Sequence, residues 1–124
     1  MKNVVKTNKA PGAIGPYSQG IQVGDMFFFS GQIPLNPETG AMAEGIVDQA
    51  HQALTNVKGL LESQGLTFAN VVKTTVFLDN MDDFVTVNEI YAQYFTEPFP
   101  ARSAVEIARL PKGALIEVEV IAVK

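Results

Sequence analysis

The sequence predicts an α+β fold in which two helices share one face of a β-sheet. Three observations support this. Short β-rich runs are separated by Gly- and Pro-rich turns, two longer segments carry helical apolar spacing, and the order reads β-β-β-α-β-α-β-β. The 124 residues show no linker, internal repeat or low-complexity stretch, so one domain over residues 1–124 is expected.

The elements follow in order. Asn3 to Thr7 reads as a first strand ending before the turn-rich Ala10-Pro11-Gly12. Gly15-Pro16-Tyr17-Ser18-Gln19-Gly20 is a loop punctuated at both ends by glycine. Ile21–Val23 and Met26–Ser30 form a hairpin across Gly24-Asp25, and Asn36-Pro37-Glu38-Thr39-Gly40 is a turn. Ile46, Val47, Ala50, Ala53, Leu54, Val57, Leu60 and Leu61 mark the buried stripe of the first helix, with Gly65 at its C-terminal cap. Val71 to Asp79 is a strand. The second helix runs from about Asp82 to Phe95, with Phe84, Val87, Tyr91 and Tyr94 or Phe95 on one side, Asn80 as N-cap, and Pro98 and Pro100 beyond its end. Arg102–Arg109 and Ala114–Val123 read as a closing hairpin around Leu110-Pro111-Lys112-Gly113.

Composition excludes several kinds of chemistry. The absence of cysteine rules out disulfides, thiolate metal sites and thiol nucleophiles. A single histidine, His51, rules out a His-rich zinc site; beside rather than within the buried stripe, it reads as a surface residue. The formal charge of −4 and scattered lysines leave no basic stripe for nucleic acid. No apolar run approaches the roughly 20 residues that span a bilayer, and the N-terminus lacks a secretory apolar block. A cytoplasmic protein without membrane contact is expected.

One pattern points to assembly. Ile116, Val118, Val120 and Ala122 suit a helix-covered face, yet the other parity (Leu115, Glu117, Glu119, Ile121, Val123) is also largely apolar. Two helices cannot cover both faces. A homo-oligomer is the simplest cover.

The candidates for chemistry each carry an alternative. Arg102 lies in an apolar setting, where a guanidinium either anchors a ligand carboxylate or forks onto a structural partner such as Glu106 or Glu117. Paired symmetrically about Pro111-Lys112, the closing hairpin puts Arg102, Ala104 and Glu106 on one face with Glu117 and Glu119. Glu117, among Leu115, Ile116, Val118 and Ile121, is either a partly desolvated proton-transfer group or a solvated outward carboxylate. Tyr17 caps a pocket or packs its loop onto the core. Gly31 in Ser30-Gly31-Gln32 admits a ligand to the backbone or marks a bulge. Asn88 interrupts the apolar side of the second helix and reads alternatively as solvated. Asp79, Asp82 and Asp83 suit a helix N-terminus better than a metal.

Taken together, Gly15-Pro16-Tyr17-Ser18-Gln19, Ser30-Gly31-Gln32-Ile33-Pro34, Val72-Lys73-Thr74-Thr75-Val76-Phe77, Pro100-Ala101-Arg102-Ser103, Val105-Glu106-Ile107-Ala108-Arg109-Leu110-Pro111 and Ile116-Glu117-Val118-Glu119 closely resemble the reactive intermediate deaminase A (RidA) family, in order and across nearly the whole chain. The resemblance implies a chorismate-mutase-like α+β fold, a mixed sheet of about six strands with two helices on one face. It further implies a homotrimer with sites between subunits. The implied reaction is hydrolysis of 2-imino and 2-enamino acids, such as those released by pyridoxal-phosphate-dependent dehydratases, with no cofactor. Arg102 would bind the substrate carboxylate, Glu117 would work with the attacking water, Tyr17 would line the pocket, and Gly31, Asn88 and the backbone of Ala104 would complete it. The family usually has cysteine where this chain has Ala104, so any thiol-dependent role is lost while the backbone N–H is kept. Two other readings compete: a non-catalytic sensor for small carboxylates, which needs Arg102 but not Glu117, and a chorismate mutase. Only Arg102 and Arg109 could serve as guanidinium anchors for chorismate's two carboxylates, which weakens the latter.

Overall fold

The computed structural model describes residues 1–124. Its strands are β1 (Lys2–Val5), β2 (Gly20–Val23), β3 (Met26–Phe29), β4 (Val71–Leu78), β5 (Ala101–Glu106) and β6 (Ile116–Val123), and its helices α1 (Gly45–Ser63) and α2 (Phe84–Tyr91). All six strands join one sheet in the order β1-β2-β3-β6-β4-β5. β5 pairs parallel to β4 and every other neighbour is antiparallel, giving the mixed sheet that the resemblance implies.

The closing hairpin is not formed. β4 lies between β5 and β6. The reason is the α2 crossover, which returns the chain parallel to β4 and fills that side of it. The segment after β5 then passes over the end of β4, where Ile107 N–H donates to Leu78 O at 2.9 Å and Asp79 N–H to Leu115 O at 3.0 Å. β6 therefore enters on the far side of β4, between it and β3.

Both helices lie on one face. Ala50, Ala53, Leu54, Val57, Leu60 and Leu61 of α1 and Val87, Ile90 and Tyr91 of α2 are buried against Phe27, Phe29, Val76, Leu78, Ile116, Val118, Val120 and Ala122 of the sheet. Val47 lies outside the stripe, 48 % exposed. Gly65 ends the α1 region with φ +71°, the left-handed conformation that favours glycine. The second helix is shorter than its apolar spacing suggests. A 3-10 turn at Met81–Asp83 precedes it, capped by the Asn80 side chain, which accepts from Asp82 N–H. Asp79, Asp82 and Asp83 form no metal-binding cluster.

Polar groups inside the fold anchor its loops. Asn56 on α1, fully buried, donates to Ile33 O at 3.1 Å and Leu35 O at 2.9 Å. Gln49 donates to Ala43 O and accepts from Leu115 N–H. Gln19 accepts from Thr7 N–H and donates to the carbonyls of Thr7, Ala10 and Pro11, fixing the loop that carries Tyr17. His51 is half-buried rather than superficial, with Nδ1 2.6 Å from the Tyr94 hydroxyl, because the chain leaving α2 folds back over α1.

The opposite face of the sheet has no helix. Val4, Ile21, Val23, Met26, Phe28, Ile121, Val123, Phe77 and Val105 share it by register, and Val4, Val23, Met26, Phe28 and Val105 are 41–65 % exposed. The apolar second parity read from the last strand thus extends across the sheet.

Asn56→Ala leaves the half-buried carbonyls of Ile33 and Leu35 without their buried donor. The expected loss is about 2–4 kcal/mol in urea unfolding, and an unchanged midpoint would contradict the anchoring role.

Candidate functional site

The candidate residues fall into two groups on opposite faces of the sheet. Residues paired across strands share a face. Arg102 is in register with Thr74, whose side chain points to the helices, whereas Glu117 is in register with Phe77 on the open face. The two positions are also two strands apart, about 9–10 Å, and offset along β4 by three residues, about 10 Å.

On the open face, the Glu117 carboxyl sits over Gly31. A Cβ at position 31 would lie 2.6 Å from Glu117 Oε2 and 2.8 Å from Cδ, so only glycine lets the carboxyl occupy that place. The backbone around Gly31 is held on both sides: Ser30 N–H donates to Gln19 O at 2.9 Å, and Gln32 N–H to Val118 O at 2.8 Å. Between β3 and the Gln32–Val118 bridge the register with β6 shifts by one residue. The bulge and the close approach are thus the same feature. Ser30 Oγ donates to Ser18 O at 2.7 Å, tying in the Tyr17 loop. Tyr17 follows a tight turn in which its N–H donates to Gly15 O, with Gly15 at φ +115°.

Tyr17, Ser30, Gly31, Gln32 and Glu117 line a cavity of about 550 Å³, walled by Ile14, Ile33, Leu35 and Pro111. Burial pushes the Glu117 carboxyl above the ordinary carboxylate range, and the charge of Glu119 adds to the rise. Such a group holds a proton more readily than a solvated glutamate and makes a stronger base once ionised.

On the helix face, Arg102 leaves the edge strand β5 and meets α2. Nη1 donates to Asn88 Oδ1 at 2.8 Å, and the guanidinium carbon lies 4.8 Å from the Tyr91 ring centroid and 5.4 Å from that of Phe84. Phe84, Asn88 and Tyr91 converge because spacings of three and four residues share a helix face. Arg102, Asn88, Tyr91, Ala92, Phe99 and Pro100 line a second cavity of about 430 Å³.

The partner of Arg102 is therefore neither Glu106 nor Glu117. Glu106 Oε1 accepts from Met81 N–H instead. Ala104 lies two residues beyond Arg102 on the same face, half-buried against the core. The expectation that Arg102 and Glu117 share a face fails with the hairpin that motivated it. Sequence reasoning also missed Phe84 and Tyr91 as the bed of Arg102, although their spacing from Asn88 carried that signal.

Residues 7–124 match the family described as Endoribonuclease L-PSP. The chain belongs to that family, and to the Rid proteins within it. A 2-iminobutanoate/2-iminopropanoate deaminase of Salmonella typhimurium is 53 % identical over all of this chain and 99 % of its own length. Among solved structures, Escherichia coli TdcF with bound serine superposes with TM-score 0.94 at 46 % identity, covering 98 % of both chains. RidA of an Antarctic Psychrobacter superposes with TM-score 0.96 at 41 % identity, covering 98 % of this chain and 99 % of that one.

The raised pKa of Glu117 has a sign in stability. The folded state binds this proton more tightly than the unfolded state, which favours folding below the unfolded value near about pH 4. That advantage is lost as pH rises through the folded value. Glu117→Gln is expected to raise Tm at pH 7, with the gain shrinking toward pH 4; an unchanged or lower Tm at pH 7 would contradict the burial of the charge.

Proposed function

We propose that this protein hydrolyses small 2-imino and 2-enamino acids, such as 2-iminobutanoate and 2-iminopropanoate, to 2-keto acids and ammonia, at sites completed between the subunits of a homotrimer. The observation that carries the reading is the Glu117 carboxyl, seated on Gly31 in an apolar-walled cavity with its pKa pushed upward. The deaminase named above, similar over its full length, supports the same chemistry.

The division of the site supports the assembly. Arg102 and Glu117 of one chain face opposite ways, too far apart for one small molecule. An apolar sheet face around Glu117 gives a neighbouring subunit a surface to cover. A neighbour that brings its Arg102 edge to this face completes the pair. A carboxylate anchor and a proton-transfer group then flank one substrate.

Arg102 binds the substrate carboxylate by its free fork edge, since Asn88 takes one of its five N–H donors. Asn88 thus reaches the substrate mainly through Arg102, and Ala104 offers its backbone N–H. Tyr17 closes the pocket at the opposite side. Protonated Glu117 delivers a proton to the enamine carbon, giving the iminium form of the imine. The resulting carboxylate orients a water and takes its proton as the oxygen attacks C2. The carbinolamine so formed collapses with proton transfer to nitrogen, expelling ammonia and leaving the 2-keto acid. Imines hydrolyse readily in water, so holding the water and the carboxylate in place suffices for a useful acceleration.

The acidic charge and scattered lysines favour small carboxylates over RNA, whatever the family's descriptive name. A threonine dehydratase coupled to detection of 2-ketobutyrate tests the proposal. The protein is expected to accelerate 2-ketobutyrate formation, and Arg102→Ala to lower kcat/KM about 10- to 100-fold through loss of a charged bidentate contact. No acceleration by the wild type, or an Arg102→Ala variant equal to it, would overturn the assignment.

A further inference from the structure

Arg102 is exposed on an edge strand, and a long arginine side chain there would ordinarily sample many rotamers. Its guanidinium instead ends a stack of rings that rises out of the core. Phe68 meets Phe95 edge-on at 5.0 Å between centroids. Phe95 stacks on Tyr91 at 4.3 Å and 24°, and the Arg102 guanidinium lies 4.8 Å from the Tyr91 centroid.

The upper ring is fixed by a buried polar pair. The Tyr91 hydroxyl lies 2.8 Å from Thr74 Oγ1, Thr74 is fully buried, and Tyr91 is 6 % exposed. A valine would fill the Thr74 position on this apolar strand face without bringing a polar group into the core. Thr74 is also the residue in register with Arg102. One rung of the sheet thus holds both the tip of Tyr91 and the base of the arginine that lies on its ring. Asn88 takes Nη1 from the side. Ring plane and amide together leave the guanidinium little freedom to rotate.

We propose that Thr74 and Tyr91 are positioning residues for the substrate carboxylate: the Thr74–Tyr91 hydrogen bond locks the aromatic shelf that aims the Arg102 fork. Thr74 lies wholly beneath the cavity surface, and Tyr91, 6 % exposed, meets that cavity as the bed of the guanidinium. The hydroxyl pair acts through the ring, and the ring acts through the guanidinium. The raised pKa of Tyr91, caused first by burial and opposed by the Thr74 hydrogen bond and the Arg102 charge, agrees with both contacts. Carboxylate binding persists from ground state to transition state, so a mis-aimed fork weakens binding more than turnover.

This inference rests on the reading of Arg102 as the carboxylate anchor, and the test separates the two. Thr74→Val, Thr74→Ser and Tyr91→Phe are compared with wild type and Arg102→Ala in the coupled dehydratase assay, and their affinity for 2-ketobutyrate is measured by calorimetry. Thr74→Val and Tyr91→Phe are expected to raise KM and the 2-ketobutyrate Kd about 3- to 10-fold, with the larger share of the effect in KM rather than kcat. Thr74→Ser, which keeps the hydroxyl, is expected to restore wild-type values. Wild-type KM and Kd in both Thr74→Val and Tyr91→Phe, beside a loss in Arg102→Ala, would overturn the shelf and leave the function standing. A loss not rescued by serine would also overturn it. Wild type that neither binds 2-ketobutyrate nor accelerates its formation would remove the functional reading first, and the shelf with it.

Discussion

The pairing of β4 with β5 on one side and β6 on the other decides where both charged groups of the site point. Side chains in register share a face, so the Thr74 rung carries Arg102 toward the helices while the Phe77 rung turns Glu117 to the open face. That alternation cannot be relaxed. A one-residue slip of β6 would turn Ile116, Val118, Val120 and Ala122 out of the core. Burial of the core therefore fixes the separation of the two groups. The rest of the site is built around that separation, with Gly31 and the Tyr17 loop around the carboxyl and α2 around the guanidinium.

Sequence periodicity located the elements well because each signal was local. The α1 stripe, the glycine after it and the strand parities depend on residues a few positions apart. The failed closing hairpin shows the limit. Arg102–Arg109, Pro111-Lys112-Gly113 and Ala114–Val123 carry good hairpin chemistry, but an earlier crossover had already committed β5 to a parallel place beside β4. Competition between pairings at different sequence distances is not written in either segment alone.

The site divided the same way. Desolvation of Glu117 could be read from its apolar neighbours on one strand. The need for glycine at position 31 could not, because the atom it avoids belongs to residue 117. Nothing in their local sequence marks Gln19, Gln49, Asn56 and Thr74, yet all are buried and paired with groups distant in sequence. Arg102 was legible as a candidate but not in its partner. Its bond to Asn88 reaches back 14 residues from β5 to the crossover helix, and it sets the guanidinium on an amide rather than in an internal ion pair.

An open sheet face with Val4, Val23, Met26 and Phe28 exposed, and a proposed functional pair that one chain cannot close, are two costs with a common remedy in self-association. Complementation tests that account most directly. Arg102→Ala and Glu117→Gln chains, each impaired alone, are unfolded together and refolded as a mixture, and imine hydrolysis is measured. If each site takes its arginine from one subunit and its glutamate from the next, random trimers regain about a quarter of wild-type activity, because each mixed ring contains one intact site. A mixture no more active than the average of its two parents would contradict a site shared between subunits.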